Sequence, residues 1–122
     1  MFEIRVEDHF AAAHFLSDYH GKCERLHGHN YRVRAWARGD KLKTGGMLLD
    51  FAVFKKALGE ITGELDHRHL NEHPFFADGS PSAERLAFYI FNEVKKRNPD
   101  IPLHRIDVFE TEKNMASWIN PD

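Results

Sequence analysis

Histidine is the commonest metal ligand and the usual acid/base side chain near neutral pH. Nine occur in this chain of 122 residues. His9, His14, His20, His27 and His29 form one cluster, His67, His69 and His73 form a second, and His104 stands apart. His27 and His29 are separated by one residue, within a stretch that alternates in character as a strand does. Residues i and i+2 of a strand point the same way. Both rings can then reach one ion at about 2.0–2.1 Å. His14, at the end of Phe10-Ala11-Ala12-Ala13-His14, is the third candidate, because the small residues before it let the backbone come close. Three neutral imidazoles with an open fourth position make a catalytic zinc arrangement, in which the ion is a Lewis acid. The alternative is a strand that merely carries two polar residues.

Cys23 is the only cysteine, so no internal disulfide can form. Two readings stay open for it. As a fourth ligand it would close the metal shell and make the ion structural. In the polar, locally basic loop of Lys22, Glu24 and Arg25, it would instead be an exposed thiol of lowered pKa, fit to act as nucleophile or base. Asp66-His67 offers a carboxylate beside an imidazole, although adjacent residues seldom bond directly. Glu110 follows Ile106 and Val108 on one strand face, where a carboxylate is costly unless paired. Either the strand ends at Val108 and Glu110 is exposed, or Glu110 lines a pocket. In a pocket its natural partner is a guanidine-like edge with two parallel N–H groups. His9, His20, His69, His73 and His104 are read as ordinary polar residues, with His69 and His73 solvated in a loop.

The elements that must position these groups follow from periodicity. Phe2, Ile4 and Val6 alternate with charged residues, and the pattern extends through Phe10 and Ala12, with room for a bulge near Asp8. Residues 16–26 carry no periodicity and read as a loop. A second strand covers 27–37, with His27, His29, Tyr31, Val33, Ala35 and Ala37 on one face. A helix starts at the N-cap candidate Asp50 and carries Phe51, Phe54, Leu58, Ile61 and Leu65 as one apolar stripe. Residues 66–80 read as a long loop. A second helix begins at Ser80-Pro81-Ser82, with proline in its first turn and Lys95, Lys96 and Arg97 in its last. Strands at 104–111 and 115–119 complete a β-β-α-α-β-β order, an α+β fold. Residues 1–122 make one domain. Open sheet edges in so small a sheet favour a homo-oligomer.

Composition narrows the partners. Lys and Arg number 17 against 19 Asp and Glu, a formal charge of −2. Neither nucleic acid nor a membrane surface is the expected partner of such a balance. The longest apolar run, residues 86–91, is far too short to span a bilayer. A cytoplasmic location is expected.

Taken together, Phe10-Ala11-Ala12-Ala13-His14, Cys23-x-x-x-His27-Gly28-His29-Asn30, Leu49-Asp50-Phe51, Leu65-Asp66-His67, Pro81-Ser82-Ala83-Glu84 and Glu110-Thr111 resemble the 6-pyruvoyl-tetrahydropterin synthase family over nearly the whole chain. The short spacing from Cys23 to His27 resembles the bacterial 6-carboxytetrahydropterin synthases of queuosine biosynthesis more than the pyruvoyl-forming enzymes of animals. The resemblance implies the tunnelling fold (T-fold), whose subunits join sheets into a barrel of three, two such trimers stacking into a hexamer. It implies Zn2+ on His14, His27 and His29, Cys23 as proton acceptor, and His67 backed by Asp66 as a proton relay. Glu110 is implied as the pterin anchor and a further relay member, with Ser82 as a substrate-contacting hydroxyl. Ala83 departs from the Thr or Ser often found beside that position. The implied reaction converts 7,8-dihydroneopterin triphosphate to 6-carboxy-7,8-dihydropterin, losing acetaldehyde and triphosphate. The same fold making 6-pyruvoyl-tetrahydropterin is the close alternative, and a non-catalytic zinc-stabilised binding domain is the more distant one.

Overall fold

The longest ladder in the protein pairs β1 (Phe2–His14) with β2 (His27–Gly39). In the computed structural model, which describes residues 1–16, 25–77 and 79–121, this antiparallel register runs unbroken from Phe2 opposite Gly39 to His14 opposite His27. The chain continues through α1 (Phe51–Leu65), β3 (Arg68–His69), α2 (Ala83–Arg97), β4 (Leu103–Phe109) and β5 (Met115–Ile119). The sheet order is β3-β1-β2-β4-β5, with β3 parallel to β1 and the other neighbours antiparallel. This is the expected α+β order with one two-residue strand added.

Both helices cover the same sheet face. Val6, Phe10, Tyr31, Val33, Ala35, Ile106 and Val108 point into the core and meet Phe54, Leu58 and Ile61 of α1 and Leu86, Ile90 and Val94 of α2. Alternation along β1 also puts Asp8 on this face. Its carboxylate accepts from Thr62 Oγ1 of α1 at 2.9 Å and from the His9 N–H at 2.8 Å. Because the side chain is satisfied there, the strand needs no bulge at Asp8. The one register shift lies between β2 and β4, at Trp36 and Ala37.

The uncovered face is polar and paired. Asp107, 1% exposed, accepts from Arg105 Nε at 2.6 Å, Ser117 Oγ at 2.6 Å and Trp36 Nε1 at 2.7 Å. Burial opposes its ionisation, but these donors overcome that and hold the carboxyl below its ordinary pKa. Arg34 reaches Glu7 at 2.8 Å, and Arg32 and Arg34 lie over the Phe109 ring.

Local chemistry sets the helix ends. Asp50 accepts from Ala52 N at 2.8 Å and caps α1. Phe51, expected in the apolar stripe, is 58% exposed, because its place in the first turn faces outward and Phe54 enters the core instead. Ser82 caps α2 through Arg85 N at 3.2 Å, so Pro81 precedes the cap rather than lying in the first turn. The expected long loop at 66–80 instead holds β3 and two short 3-10 turns, Leu70–Glu72 and Pro74–Phe76. β4 stops at Phe109, two residues short of the expected 111, where Glu110 N turns to Asn114 O.

His73 is no solvated loop residue. Its Nδ1 accepts from Phe75 N at 3.1 Å and its Nε2 lies 3.2 Å from the Tyr89 hydroxyl. Burial pushes its pKa below the ordinary 6.5, with Arg68 adding to the depression and Glu64 and Glu93 opposing it. A histidine held neutral in this way stabilises the fold above about 6.5, and the contribution is lost as pH falls through the folded pKa. His73→Asn keeps an acceptor for Phe75 N but cannot titrate. Denaturant unfolding of the two proteins should diverge on acidification, with the parent losing more stability below pH 6.5. Parallel pH profiles would contradict this role.

Candidate metal centre

The β1–β2 register places the three candidate ligands together. His27 and His29 point to one face of β2, and His14 lies directly across from His27. The ring centroids are 4.7 Å apart for His14 and His27, 4.7 Å for His27 and His29, and 5.0 Å for His14 and His29. Glu110 joins them: its Oε1 is 3.1 Å from His14 Nε2 and 2.9 Å from His29 Nε2. One ligand atom from each of the four residues lies within 4.8 Å of all the others.

The hydrogen bonds around the rings fix where their lone pairs point. His14 Nδ1 is 2.9 Å from the Pro81 carbonyl, and His27 Nδ1 is 2.6 Å from the Arg25 carbonyl. A carbonyl only accepts, so each Nδ1 carries the proton and each neutral ring offers a bare Nε2. Those two Nε2 atoms face one another at 3.1 Å. Two lone pairs at that distance repel unless a cation lies between them. Donors bonded to a tetrahedral ion at about 2.0–2.1 Å would sit roughly 3.3 Å apart, close to this separation. The donor set of three imidazoles and a carboxylate therefore fits one divalent ion. Burial pushes the His29 imidazole below its ordinary pKa, opposed by the Glu110 carboxylate. The neutral, ligating form is favoured there.

The second group hangs from the same strand. Ala11 N donates to Asp66 Oδ1 at 2.8 Å, and His67 N donates to Ala11 O at 2.6 Å. One backbone unit of β1 thus clamps both members of the pair. β3 extends the attachment, with Arg68 opposite Ala12 and His69 opposite Ala13. His67 adopts φ of 57°, a left-handed conformation rare for a residue with a side chain. That turn lets Nδ1 reach back to its neighbour's carboxylate, with Asp66 Oδ2 at 2.8 Å. The Ala11 N–H first, and His67 second, hold the Asp66 carboxyl below the ordinary value. The His67 ring is 84% exposed, and among the described residues its Nε2 has no hydrogen-bond partner. A cleft of about 460 Å³ is lined by His29 of the cluster and by His67 of the pair, with Ala11, Ala13 and Asn30 between them.

Other residues singled out in the sequence fall as follows. Ser82 lies at the α2 cap. Pro81, just before it, is the residue whose carbonyl meets His14. Glu110 keeps the inward direction of Ile106 and Val108 although β4 has ended. Its partners among the described residues are histidines. The alternation was visible in the sequence, but the partnership was not. His69 is half-buried and bonded through Nδ1 to Glu72 at 2.9 Å, not solvated. His9 is exposed on β1. Cys23, Lys22 and His20 lie outside the described residues.

Residues 3–120 match the family described as 6-pyruvoyl tetrahydropterin synthase. The chain is 38% identical to the 6-carboxy-5,6,7,8-tetrahydropterin synthase of Synechocystis, over 99% of this chain and 95% of that protein. It is 36% identical to the 6-pyruvoyl tetrahydrobiopterin synthase of Homo sapiens, over 89% of this chain and 85% of that one. The solved structure of Caenorhabditis elegans 6-pyruvoyl tetrahydropterin synthase superposes with a TM-score of 0.87 at 32% identity, covering 98% of this chain and 95% of that one. With the fold, the histidine cluster and a match over almost its full length in agreement, the chain belongs to the 6-pyruvoyl tetrahydropterin synthase family.

Proposed function

We propose that this protein is a zinc-dependent lyase that converts 7,8-dihydroneopterin triphosphate and water to 6-carboxy-5,6,7,8-tetrahydropterin, acetaldehyde and triphosphate, in the cytoplasmic synthesis of the queuosine precursor. The two electrons lost when the side chain becomes a carboxylate and acetaldehyde reduce the ring, so the product is the tetrahydropterin and not the 6-carboxy-7,8-dihydropterin expected from the sequence, which would need an oxidant. The observation that carries the reading is a metal-competent histidine cluster and, held on the same strand as His14, an ordered carboxylate–imidazole pair, with His29 of the first and His67 of the second lining one cleft. Among the relatives, those of Synechocystis and Bacillus subtilis are both named 6-carboxy-5,6,7,8-tetrahydropterin synthase, which favours the carboxy product. The second reading, formation of 6-pyruvoyl-tetrahydropterin from the same substrate, is favoured by the likeness to the human protein.

In this reading His14, His27 and His29 hold the ion. Bound there, zinc supplies Lewis-acid polarisation of the substrate's side-chain oxygens. Glu110 accepts hydrogen bonds from the 2-amino and N3–H edge of the pterin, a two-donor edge that matches a carboxylate. Ser82 contributes a hydroxyl to the same ring system. Cys23 accepts the proton released from the substrate side chain, and His67 Nε2 passes protons on. Asp66 keeps the His67 ring in the tautomer that leaves Nε2 as the working nitrogen. The open edges, two-residue β3 on one side and β5 on the other, support assembly into a closed oligomer, a hexamer of two stacked trimers.

Incubation of the zinc-loaded protein with dihydroneopterin triphosphate, followed by mass spectrometry, should show 6-carboxy-5,6,7,8-tetrahydropterin and acetaldehyde. Accumulation of the pyruvoyl compound alone would select the second reading, and unchanged substrate would remove both. The anchor role of Glu110 has its own check. Glu110→Gln should keep stoichiometric zinc while pterin affinity falls about tenfold or more, as loss of a charge-assisted bidentate contact implies. Loss of zinc with unchanged pterin affinity would make Glu110 the fourth ligand and place the anchor elsewhere.

A further inference from the structure

His14 differs from the other two histidines of the cluster in what lies behind it. It is fully buried, and its Nδ1 faces two oxygens: the Pro81 carbonyl at 2.9 Å and the Tyr31 hydroxyl at 3.2 Å. Tyr31 is itself fully buried, stacked on Phe10 at 4.8 Å with its ring perpendicular to that of His14. Alternation along β2 puts Tyr31 two residues beyond His29 on the same face, so the strand that carries two ligands also carries the support of the third. Pro81 belongs to a different element. Its position is held by the cap of α2, where Ser82 Oγ accepts from Arg85 N and Ser82 O from Leu86 N. Among the described residues His27 has by contrast a single carbonyl, that of Arg25, behind its Nδ1, and that contact is exposed.

We propose that Tyr31, together with the Pro81 carbonyl, is the outer shell that fixes the tautomer and tilt of His14, and that Tyr31 is a positioning residue for the metal centre. The Pro81 carbonyl only accepts, so it requires Nδ1–H and excludes the tautomer protonated at Nε2; with that proton in place the Tyr31 hydroxyl oxygen accepts as the second partner of a three-centre hydrogen bond. The lone pair of Nε2 is then directed at His27 and Glu110 before any ion arrives. Ion binding makes Nδ1–H a stronger donor, so this shell stabilises the loaded state more than the empty one. Partners of this kind behind metal-ligating histidines commonly account for about 10–100-fold in metal affinity. The inference rests on the three histidines holding a divalent ion and is independent of which pterin product forms.

The test is zinc affinity of the whole protein, measured by competition with a chromophoric chelator, with no pterin present. Tyr31→Phe keeps the ring on Phe10 and removes only the hydroxyl. It should fold, bind one zinc and bind it about tenfold more weakly than the parent. Equal affinity in the two proteins, with a lower melting temperature for the variant, would mean that Tyr31 is core packing and nothing more. Failure of the parent to bind zinc would instead overturn the metal reading beneath the inference. Where Tyr31→Phe does not fold, the parent alone decides: long-range nitrogen–proton NMR of the metal-free protein should show His14 protonated at Nδ1, and protonation at Nε2 would overturn the proposal.

Discussion

The arrangement depends on the register of one antiparallel ladder. Side chains along a strand alternate between faces, so a slip of one residue would send every inward group outward. Here the ladder from Phe2 opposite Gly39 to His14 opposite His27 has no break. At one end it buries Val6 and Phe10 under the helices, and at the other the same periodicity delivers His14, His27 and His29 to one point. Core packing and ligand placement are therefore the same constraint. The buried residues set the register, and the register sets the metal geometry.

A second consequence of that ladder is electrostatic. Two carbonyls, from Pro81 and Arg25, take the Nδ1 protons of His14 and His27, leaving Nε2 lone pairs opposed at 3.1 Å. This is unfavourable in a metal-free chain and becomes favourable when a cation arrives. Glu110 adds to the cost by presenting its carboxylate to His14 Nε2 and His29 Nε2, which raises the attraction of the site for a cation. The stored repulsion is part of the fold, because His14 is fully buried and its Nδ1 is held by the Pro81 carbonyl. Strand β1 also carries the Asp66–His67 pair through both polar groups of Ala11, which ties the acid/base group and the metal-competent group to a single rigid element.

Much of this was legible in the residues. The alternation from Tyr31 to Ala37 foretold a buried face and Asp50 the cap of α1, while Ser80-Pro81-Ser82 foretold a serine start for α2 but with proline inside the first turn, where the structure puts it before the Ser82 cap. The last strand, 115–119, has the bounds that its pattern indicated. What was hidden depends on groups distant in sequence or on conformations that residue type does not announce. Nothing about His67 signals a φ of 57°, yet that angle makes the bond to adjacent Asp66 possible. β3 cannot be read from two residues, since its existence depends on Ala12 and Ala13 across the sheet. His69 and His73 looked solvated because their partners, Glu72, Phe75 and Tyr89, are fixed by 3-10 turns and by packing on α2. Glu110 advertised an inward direction through its place after Ile106 and Val108, but its histidine partners come from two other strands.

The central claim is that the three histidines, without Cys23, provide the protein's nitrogen and sulfur ligands to the ion and leave a position for substrate. X-ray absorption at the zinc edge of the loaded protein reads that shell directly. The account predicts three imidazole nitrogens at about 2.0–2.1 Å with oxygen completing the shell. A sulfur scatterer at about 2.3 Å would place Cys23 on the ion, close the site and contradict a catalytic role for it.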